Sequence, residues 1–120
     1  MRLCIKRIHA PPTPEDGLRI LVDRLWPRGI SRDRARIDHW AKTLAPSRDL
    51  RRWFDHRPER WPEFRRRYFA ELDLVRPDLQ ELATLIGRGP ATLLFASKEE
   101  RMNNASALRD ALLDPGFWKG

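Results

Sequence analysis

The sequence contains a single cysteine, Cys4, so the chain cannot form an internal disulfide. A reducing, cytoplasmic location is therefore expected, and Cys4 is predicted to be a buried, inert thiol in the first strand. No apolar run approaches the roughly 20 residues that a membrane-spanning helix needs, and no signal peptide is evident. No association with a membrane is predicted.

Lysine is also scarce, because it occurs only at Lys6, Lys42, Lys98 and Lys119. Arginine therefore supplies most of the 24 basic residues, which face 17 acidic ones and give a net charge of +7. A basic chain attracts polyanions, so an anionic small molecule or a nucleic acid is a candidate partner. The alternative interpretation is an arginine-rich solvated surface that has no specific partner.

Several familiar functional motifs are missing. The chain has no P-loop, no G-x-G-x-x-G, no G-x-S-x-G and no H-E-x-x-H. Its three histidines, His9, His39 and His56, have no spacing typical of metal ligands, and no cysteine pair supports them. The sequence therefore predicts no metal site and no cofactor, and it leaves open whether the protein is an enzyme.

The apolar content is that of an ordinary globular protein. Of 120 residues, 41% are hydrophobic, and five tryptophans and five phenylalanines supply large core side chains. This length and composition predict one domain over residues 1–120. The oligomeric state cannot be read from these patterns.

Apolar runs mark the predicted strands. Residues 3–8, 18–25 and 91–96 are strand-like, and residues 37–41 favour a shorter strand over a continued helix. The runs alternate with helical patterns, which predicts an α/β fold with a mostly parallel sheet of about three to five strands flanked by helices. Strand order is not predicted.

Apolar residues at helical spacing, together with capping residues, predict five helices between and after these strands. Ser31 and Ser47 are predicted N-caps, and Asp78 with Glu81 has the spacing of a capping box. Beyond the last helix, Phe117-Trp118 is predicted to form a tail. The predicted helices cover residues 32–36, 47–54, 59–74, 79–86 and 103–113.

Polar residues follow the two most apolar strands. Asp23-Arg24 ends one strand and Ser97-Lys98 ends the other. Ligands of open α/β sheets bind outside the carboxyl ends of the strands, so a partly cationic site is predicted there. The first hypothesis is that the protein binds or acts on an anionic small molecule or a nucleotide at this site. Asp23 is the weak candidate for a catalytic acid or base. The predicted ligand-binding residues are Arg24, Arg28, Ser97, Lys98, Asn103 and Asn104.

Each of these residues also has a structural interpretation. Asp23 and Arg24 could pair with neighbouring side chains, and Asn103 or Asn104 could serve only as an N-cap. The arginines between Arg48 and Arg67 favour a second function, an accessory protein that binds nucleic acid. Successive residues of a helix point about 100° apart, so Arg65, Arg66 and Arg67 do not lie along one helix face. No specific nucleic-acid-binding motif supports this function. An interaction domain without a site is the third hypothesis.

The motifs together resemble one bacterial family. Residues 20–29 (ILVDRLWPRG), residues 40–47 (WAKTLAPS) and residues 92–96 (TLLFA) are similar to the YeaO-like branch of the "domain of unknown function 488" family. The resemblance implies a small α/β domain in the bacterial or archaeal cytosol. Other branches carry a Cys-His-Arg cluster after the last strand, where this chain reads Asn103-Asn104-Ala105. The resemblance therefore implies no thiol or histidine chemistry at that position.

Overall fold

A computed structural model describes residues 1–119, with the side chains of residues 1–117. Its centre is a four-stranded sheet in the order β1-β4-β2-β3, in which every neighbouring pair is parallel. This confirms the predicted α/β fold with a mostly parallel sheet flanked by helices. The strands are β1 (Leu3–Arg7), β2 (Leu18–Leu21), β3 (His39–Trp40) and β4 (Ala91–Phe95).

Six α-helices connect and follow these strands within the described part of the chain. Three short 3-10 turns, at Pro14–Asp16, Lys42–Leu44 and Pro58–Arg60, complete the connections. The helices are α1 (Arg32–Ala35), α2 (Arg48–Phe54), α3 (Trp61–Asp73), α4 (Arg76–Ile86), α5 (Asn104–Leu113) and α6 (Pro115–Lys119).

Strand β4 lies inside the sheet, and all five of its residues are buried. Its Leu93 lies opposite Ile5 of β1 on one side and Ile20 of β2 on the other. A continuous apolar run is what a strand covered on both faces requires. The backbone N–H of Val22 donates to Leu94 at 3.0 Å, so the contact between β2 and β4 continues to the residue just before Asp23.

The two faces of the sheet are covered differently. Apolar side chains of α2, α3, α4 and α5 pack with Ile20 and Leu93 in the main core. On the other face, Leu21 and Leu94 pack in a smaller cluster with Ala35 of α1. The main core therefore fixes the positions of the helices that surround the carboxyl end of the sheet.

The smaller face also holds a buried ion pair. Arg19 donates to Asp16 at 2.5 Å, and Lys6 donates to the same carboxylate at 3.0 Å. Burial raises the pKa of Asp16, but hydrogen bonds from Thr13, Lys6 and Arg19 together outweigh it and lower that pKa to about 2. Arg19 also donates its Nε to the carbonyl of Ala35 at 3.0 Å, which attaches α1 to the sheet.

Predicted N-caps at Ser31 and Ser47 are confirmed, since each hydroxyl accepts a backbone N–H of the first helical turn. The capping box predicted at Asp78 and Glu81 is wrong. Helix α4 begins earlier, at Arg76, and its N-cap Val75 makes no side-chain hydrogen bond. Pro77 lies in the first turn, where its missing N–H costs little, so it permits the earlier start.

The prediction that Cys4 is buried is also wrong, because the thiol is exposed. Leu3 and Ile5 point into the main core, so the intervening Cys4 points to the other face. Strand β1 is at the edge of the sheet, and the smaller apolar cluster does not extend to Cys4.

The predicted tail is instead helical, because α6 follows α5 directly. Phe117 packs against Phe69 of α3 at 5.6 Å between ring centroids, and Arg76 lies over the same ring at 4.6 Å. The side chain of Trp118 lies outside the described residues. Within the described chain, no helix combines the length and the apolar content needed to cross a membrane.

Candidate functional site

The carboxyl ends of β2 and β4 meet at one point of the sheet edge. Because the strands are parallel neighbours, Asp23 follows one strand beside Ala96 and Ser97, which follow the other. The carboxylate of Asp23 accepts the backbone N–H of Ala96 at 2.9 Å. The predicted coincidence of the two strand ends is therefore present in the structure.

Asn104 joins this junction from the first turn of α5. Its Nδ2 donates to the carbonyl of Val22 at 3.0 Å and to the carboxylate of Asp23 at 3.1 Å. Burial raises the pKa of Asp23, while the hydrogen bonds from Asn104 and Ala96 and the charge of Arg51 oppose that shift. Asp23 thus holds two strand ends and a helix together.

Asn103 has a structural role as the N-cap of α5. Its Oδ1 accepts the N–H of Ser106 at 2.9 Å, and its Nδ2 donates to the carbonyl of Glu99 at 2.8 Å. Both ends of the amide are therefore engaged within the protein, as the alternative interpretation of this residue expected.

The loop between β4 and α5 is held by local hydrogen bonds. The Ser97 hydroxyl accepts the N–H of Glu99 at 3.1 Å, and the Ser97 carbonyl accepts from Arg7 at 3.1 Å. The N–H groups of Met102 and Arg101 donate to the Glu99 carboxylate and lower its pKa. This loop is therefore a fixed wall of the site.

A cavity of about 400 Å³ opens at this sheet edge, between α2 and the start of α5. Its wall combines arginines, apolar side chains and the polar junction around Asp23. The lining residues are Asp23, Arg24, Pro46, Arg48, Arg51, Arg52, Phe54, His56, Phe64, Ala96, Ser97, Met102, Asn103 and Asn104.

Helix α2 supplies most of the positive charge of the cavity. Arg48, Arg51 and Arg52 are spaced i, i+3 and i+4, which places them on one helix face. The start of this helix is fixed by Glu71 of α3, whose carboxylate accepts the N–H of Ser47 at 2.8 Å and its hydroxyl at 2.5 Å. The α2 arginines are thus carried on an anchored element.

These three arginines were missed as site residues in the sequence. Their i, i+3, i+4 spacing was the available signal, but it was hidden within the longer basic stretch that ends at Arg67. Of the predicted ligand residues, Arg24, Ser97, Asn103 and Asn104 line the cavity. Arg28 and Lys98 are exposed and do not line it.

The cavity arginines form no ion pair with any residue that the structure describes. Among the described residues, no carboxylate oxygen lies within 4.0 Å of a guanidinium nitrogen of Arg24, Arg48, Arg51 or Arg52. Among the described residues of the lining, Asp23 is the one carboxylate, and its oxygens accept from Ala96 and Asn104. The cavity therefore has an excess of uncompensated positive charge.

The arginines of α3 are in the opposite situation. Arg66 and Arg67 both pair with Glu63, at 2.6 Å and 2.7 Å, and Arg65 pairs with Asp110 of α5 at 2.9 Å. Hydrogen bonds from Arg66 and Arg67 lower the pKa of Glu63 to about 2, so that carboxylate stays ionised. The most basic stretch of the sequence is thus largely neutralised.

A second hollow, of about 490 Å³, lies between β3 and α4. Asp78 and Glu81 line it together with Lys42, so two carboxylates offset one lysine and this hollow lacks the excess of positive charge seen in the first cavity. The described residues contain no group of three or more histidine, cysteine, aspartate or glutamate side chains placed to hold a metal ion. The arginine-lined cavity is the stronger candidate site.

Comparisons with known proteins agree with the motifs. A family model described as the inactive DUF488-N3 subclade matches residues 2–116. The uncharacterized protein YeaO of Escherichia coli is 39% identical over 112 residues, which are 93% of this chain and 97% of that relative. The uncharacterized protein Rv3073c of Mycobacterium tuberculosis is 40% identical over 111 residues, covering 92% of this chain and 93% of that relative.

No solved structure gives a significant match. The resemblance indicated by the motifs at residues 20–29 and 92–96 is confirmed, because the family model and both relatives span almost the whole chain. This chain belongs to the inactive DUF488-N3 subclade.

Proposed function

We propose that this protein binds an anionic small molecule in the arginine-lined cavity and does not transform it. The observation that carries the proposal is the convergence of Arg24, Arg48, Arg51 and Arg52 on one cavity without an ion pair among the described residues. Like charges held together repel one another, and an anion that binds between them relieves that repulsion.

The geometry of arginine suits this role. A guanidinium group presents several N–H donors in a planar fork, which matches the oxygens of a phosphate or a carboxylate. Small-molecule sites typically occupy about 300–1,000 Å³, so a cavity of about 400 Å³ is large enough for a ligand of modest size.

The lining supports binding rather than catalysis. The one cysteine, Cys4, does not line the cavity. The Ser97 hydroxyl accepts from Glu99 and, among the described residues, makes no hydrogen bond to a histidine. Asp23, the candidate acid or base, accepts from Ala96 and Asn104 and so joins the two strand ends to α5. The description of the subclade as inactive agrees with a binding role.

The alternative of nucleic-acid binding has less support. Arg65, Arg66 and Arg67 are each held in an ion pair, and the unpaired arginines of α2 line a concave cavity. A surface that follows a phosphate backbone requires a row of accessible cations, because affinity depends on how many phosphates are neutralised.

Thermal unfolding with inorganic pyrophosphate tests the proposal, using two variants as a matched pair. Pyrophosphate is expected to raise the Tm of the wild type and of Arg28→Gln, because Arg28 is exposed outside the cavity. The same shift should be clearly smaller for Arg24→Gln. A wild type that neither pyrophosphate nor any other phosphate-bearing probe stabilises, or equal pyrophosphate shifts in both variants, would overturn the proposal.

A further inference from the structure

We propose that the anion is a mononucleotide, with its phosphate on the arginines and its base and ribose towards Asp23 and Asn104. The inference rests on the proposed function and specifies the ligand of the same cavity. It follows from three features of the cavity of about 400 Å³: its arginines, its polar inner end and its apolar wall.

The first step is the distribution of charge. The four arginines of the lining are exposed, whereas Asp23 is half-buried at the sheet edge. The opening of the cavity is therefore cationic and its inner end carries the single carboxylate. An anion beside that carboxylate would be repelled, so the charged part of the ligand belongs near the opening.

The second step is the hydrogen-bonding character of the inner end. The Nδ2 of Asn104 donates to the Val22 carbonyl and to Asp23, which leaves the Oδ1 of Asn104 as an acceptor. A carboxylate has about four acceptor positions, so Asp23 keeps spare capacity beyond the N–H groups of Ala96 and Asn104. The inner end therefore selects a neutral group that carries N–H or O–H donors.

The third step is the apolar wall. Phe54, Phe64, Pro46 and Met102 border the cavity. Phe64 and Pro46 are buried in the core, so the apolar surface open to a ligand is that of Met102 and of the 8% of Phe54 that stays exposed. Such a wall favours a flat apolar group over a hydrated polyol, and nucleobases pack well on aromatic side chains. A phosphorylated sugar satisfies the arginines and Asp23 but leaves this wall uncovered.

Size then separates a free nucleotide from a nucleic acid. The volume is near the lower end of the roughly 300–1,000 Å³ of small-molecule sites, which suits one nucleotide. A longer strand would also contact cations outside the cavity. On α3 these cations are paired, whereas Arg28 and Lys98 are exposed without an ion pair among the described residues, so an oligonucleotide probe is part of the test.

The test is isothermal titration of the wild-type protein with defined probes. These are AMP, GMP, CMP and UMP, compared with adenosine, ribose 5-phosphate, inorganic pyrophosphate and a 5′-phosphorylated single-stranded oligonucleotide. At least one mononucleotide is expected to bind about 10-fold more tightly than each of the other four probes, since both the base and the phosphate contribute.

Two variants are expected to change the affinities for mononucleotide and pyrophosphate differently. Arg51→Gln should weaken mononucleotide and pyrophosphate alike. Asp23→Asn should weaken the mononucleotide but strengthen pyrophosphate, because the cavity loses its carboxylate. Urea unfolding checks that Asp23→Asn is folded, and if it is not, the wild-type probe series decides the question alone.

The outcomes separate the two proposals. Pyrophosphate or ribose 5-phosphate binding as tightly as every mononucleotide would overturn the nucleotide assignment and leave anion binding intact. Tighter binding of the oligonucleotide would assign the site to nucleic acid instead. If no anionic probe binds at all, the proposed function and this inference both fail.

Discussion

Two groups of arginines in this protein differ in what surrounds them. Arg66 and Arg67 of α3 share Glu63, which lies three and four residues before them on the same helix face. On α2, Asp49 lies three residues before Arg52 but forms no ion pair with it among the described residues. A dense run of arginines is therefore a poor guide to a binding site, and the proposed site rests instead on arginines that line a cavity without a carboxylate partner among the described residues.

The largest effect is expected when charge is removed from the α2 arginines, and removing the same charge from the α3 arginines serves as the control. Replacing both Arg51 and Arg52 by Gln should weaken pyrophosphate binding more than about 100-fold, because hydrogen bonds to charged groups contribute about 1.5–3 kcal/mol each. The matched control, Arg66→Gln with Arg67→Gln, removes the same net charge from α3 and should change the affinity less than about 2-fold. Isothermal titration measures both. Equal losses in the two double variants would mean that net charge alone governs binding.

Arg19 adds a third case to the comparison, an arginine whose ion pair with Asp16 is buried. Asp16→Asn removes its partner and should destabilise the fold by about 3 kcal/mol at neutral pH, because a buried charge is left uncompensated. The folded pKa of Asp16, about 2, lies below its ordinary value of 3.8. Its stabilisation is therefore complete above pH 3.8 and is lost as the pH falls towards 2.

Urea unfolding of wild type and Asp16→Asn across this pH range measures the effect. The difference in their free energy of unfolding should shrink between pH 4 and 2, the window set by the two pKa values. A difference that stays constant down to pH 2 would show that the Asp16 carboxylate does not stabilise the fold through its charge.

A smaller effect is expected at the anchor of α2. Glu71→Gln leaves one acceptor oxygen where Ser47 donates both its N–H and its hydroxyl, so the free energy of unfolding should fall by about 1 kcal/mol. Pyrophosphate affinity should also decrease a few-fold, because the α2 arginines lose part of their positioning. Glu81→Gln, at an exposed position on α4, is the control. Destabilisation with unchanged affinity would mean that the anchor does not position these arginines.

The smallest effect is expected when the arginines of α3 are left without their partner, as the arginines of α2 are. Glu63→Gln removes the shared partner of Arg66 and Arg67 and leaves both guanidinium groups unpaired. Affinity for single-stranded DNA at low salt should rise by a few-fold, with a steeper dependence on salt, while pyrophosphate affinity stays unchanged. Unaltered DNA binding would show that pairing with Glu63 does not limit the interaction of α3 with polyanions.

The fold was largely predictable because its signals are local. The Leu93-Leu94-Phe95 run indicates a buried strand, and Ser47 marks the start of α2 by its position before an amphipathic segment. The order of the strands depends on contacts between β1, β2 and β4, which lie far apart in sequence. The start of α4 was mispredicted because Asp78 and Glu81 fit a capping box, whereas Pro77 allows the helix to begin earlier.

The site was only partly predictable. Asp23 and Ser97 could be placed together, because parallel strands end at the same edge of a sheet. The contribution of Arg48, Arg51 and Arg52 depends on how α2 packs against that edge, and helical spacing alone does not determine this packing. Arg28 and Lys98 follow the strand ends in sequence, but their side chains are exposed outside the cavity.

The most direct test of the central claim is a titration of the ¹⁵N-labelled protein with inorganic pyrophosphate, followed through the Nε–H signals of arginine side chains. Signals assigned to Arg24, Arg48, Arg51 and Arg52 should shift in a saturable manner with one common dissociation constant. Those of Arg65, Arg66 and Arg67 should remain in place, because their partners are Asp110 and Glu63. Saturable shifts confined to the α3 signals, or weak shifts spread over both groups, would contradict the account.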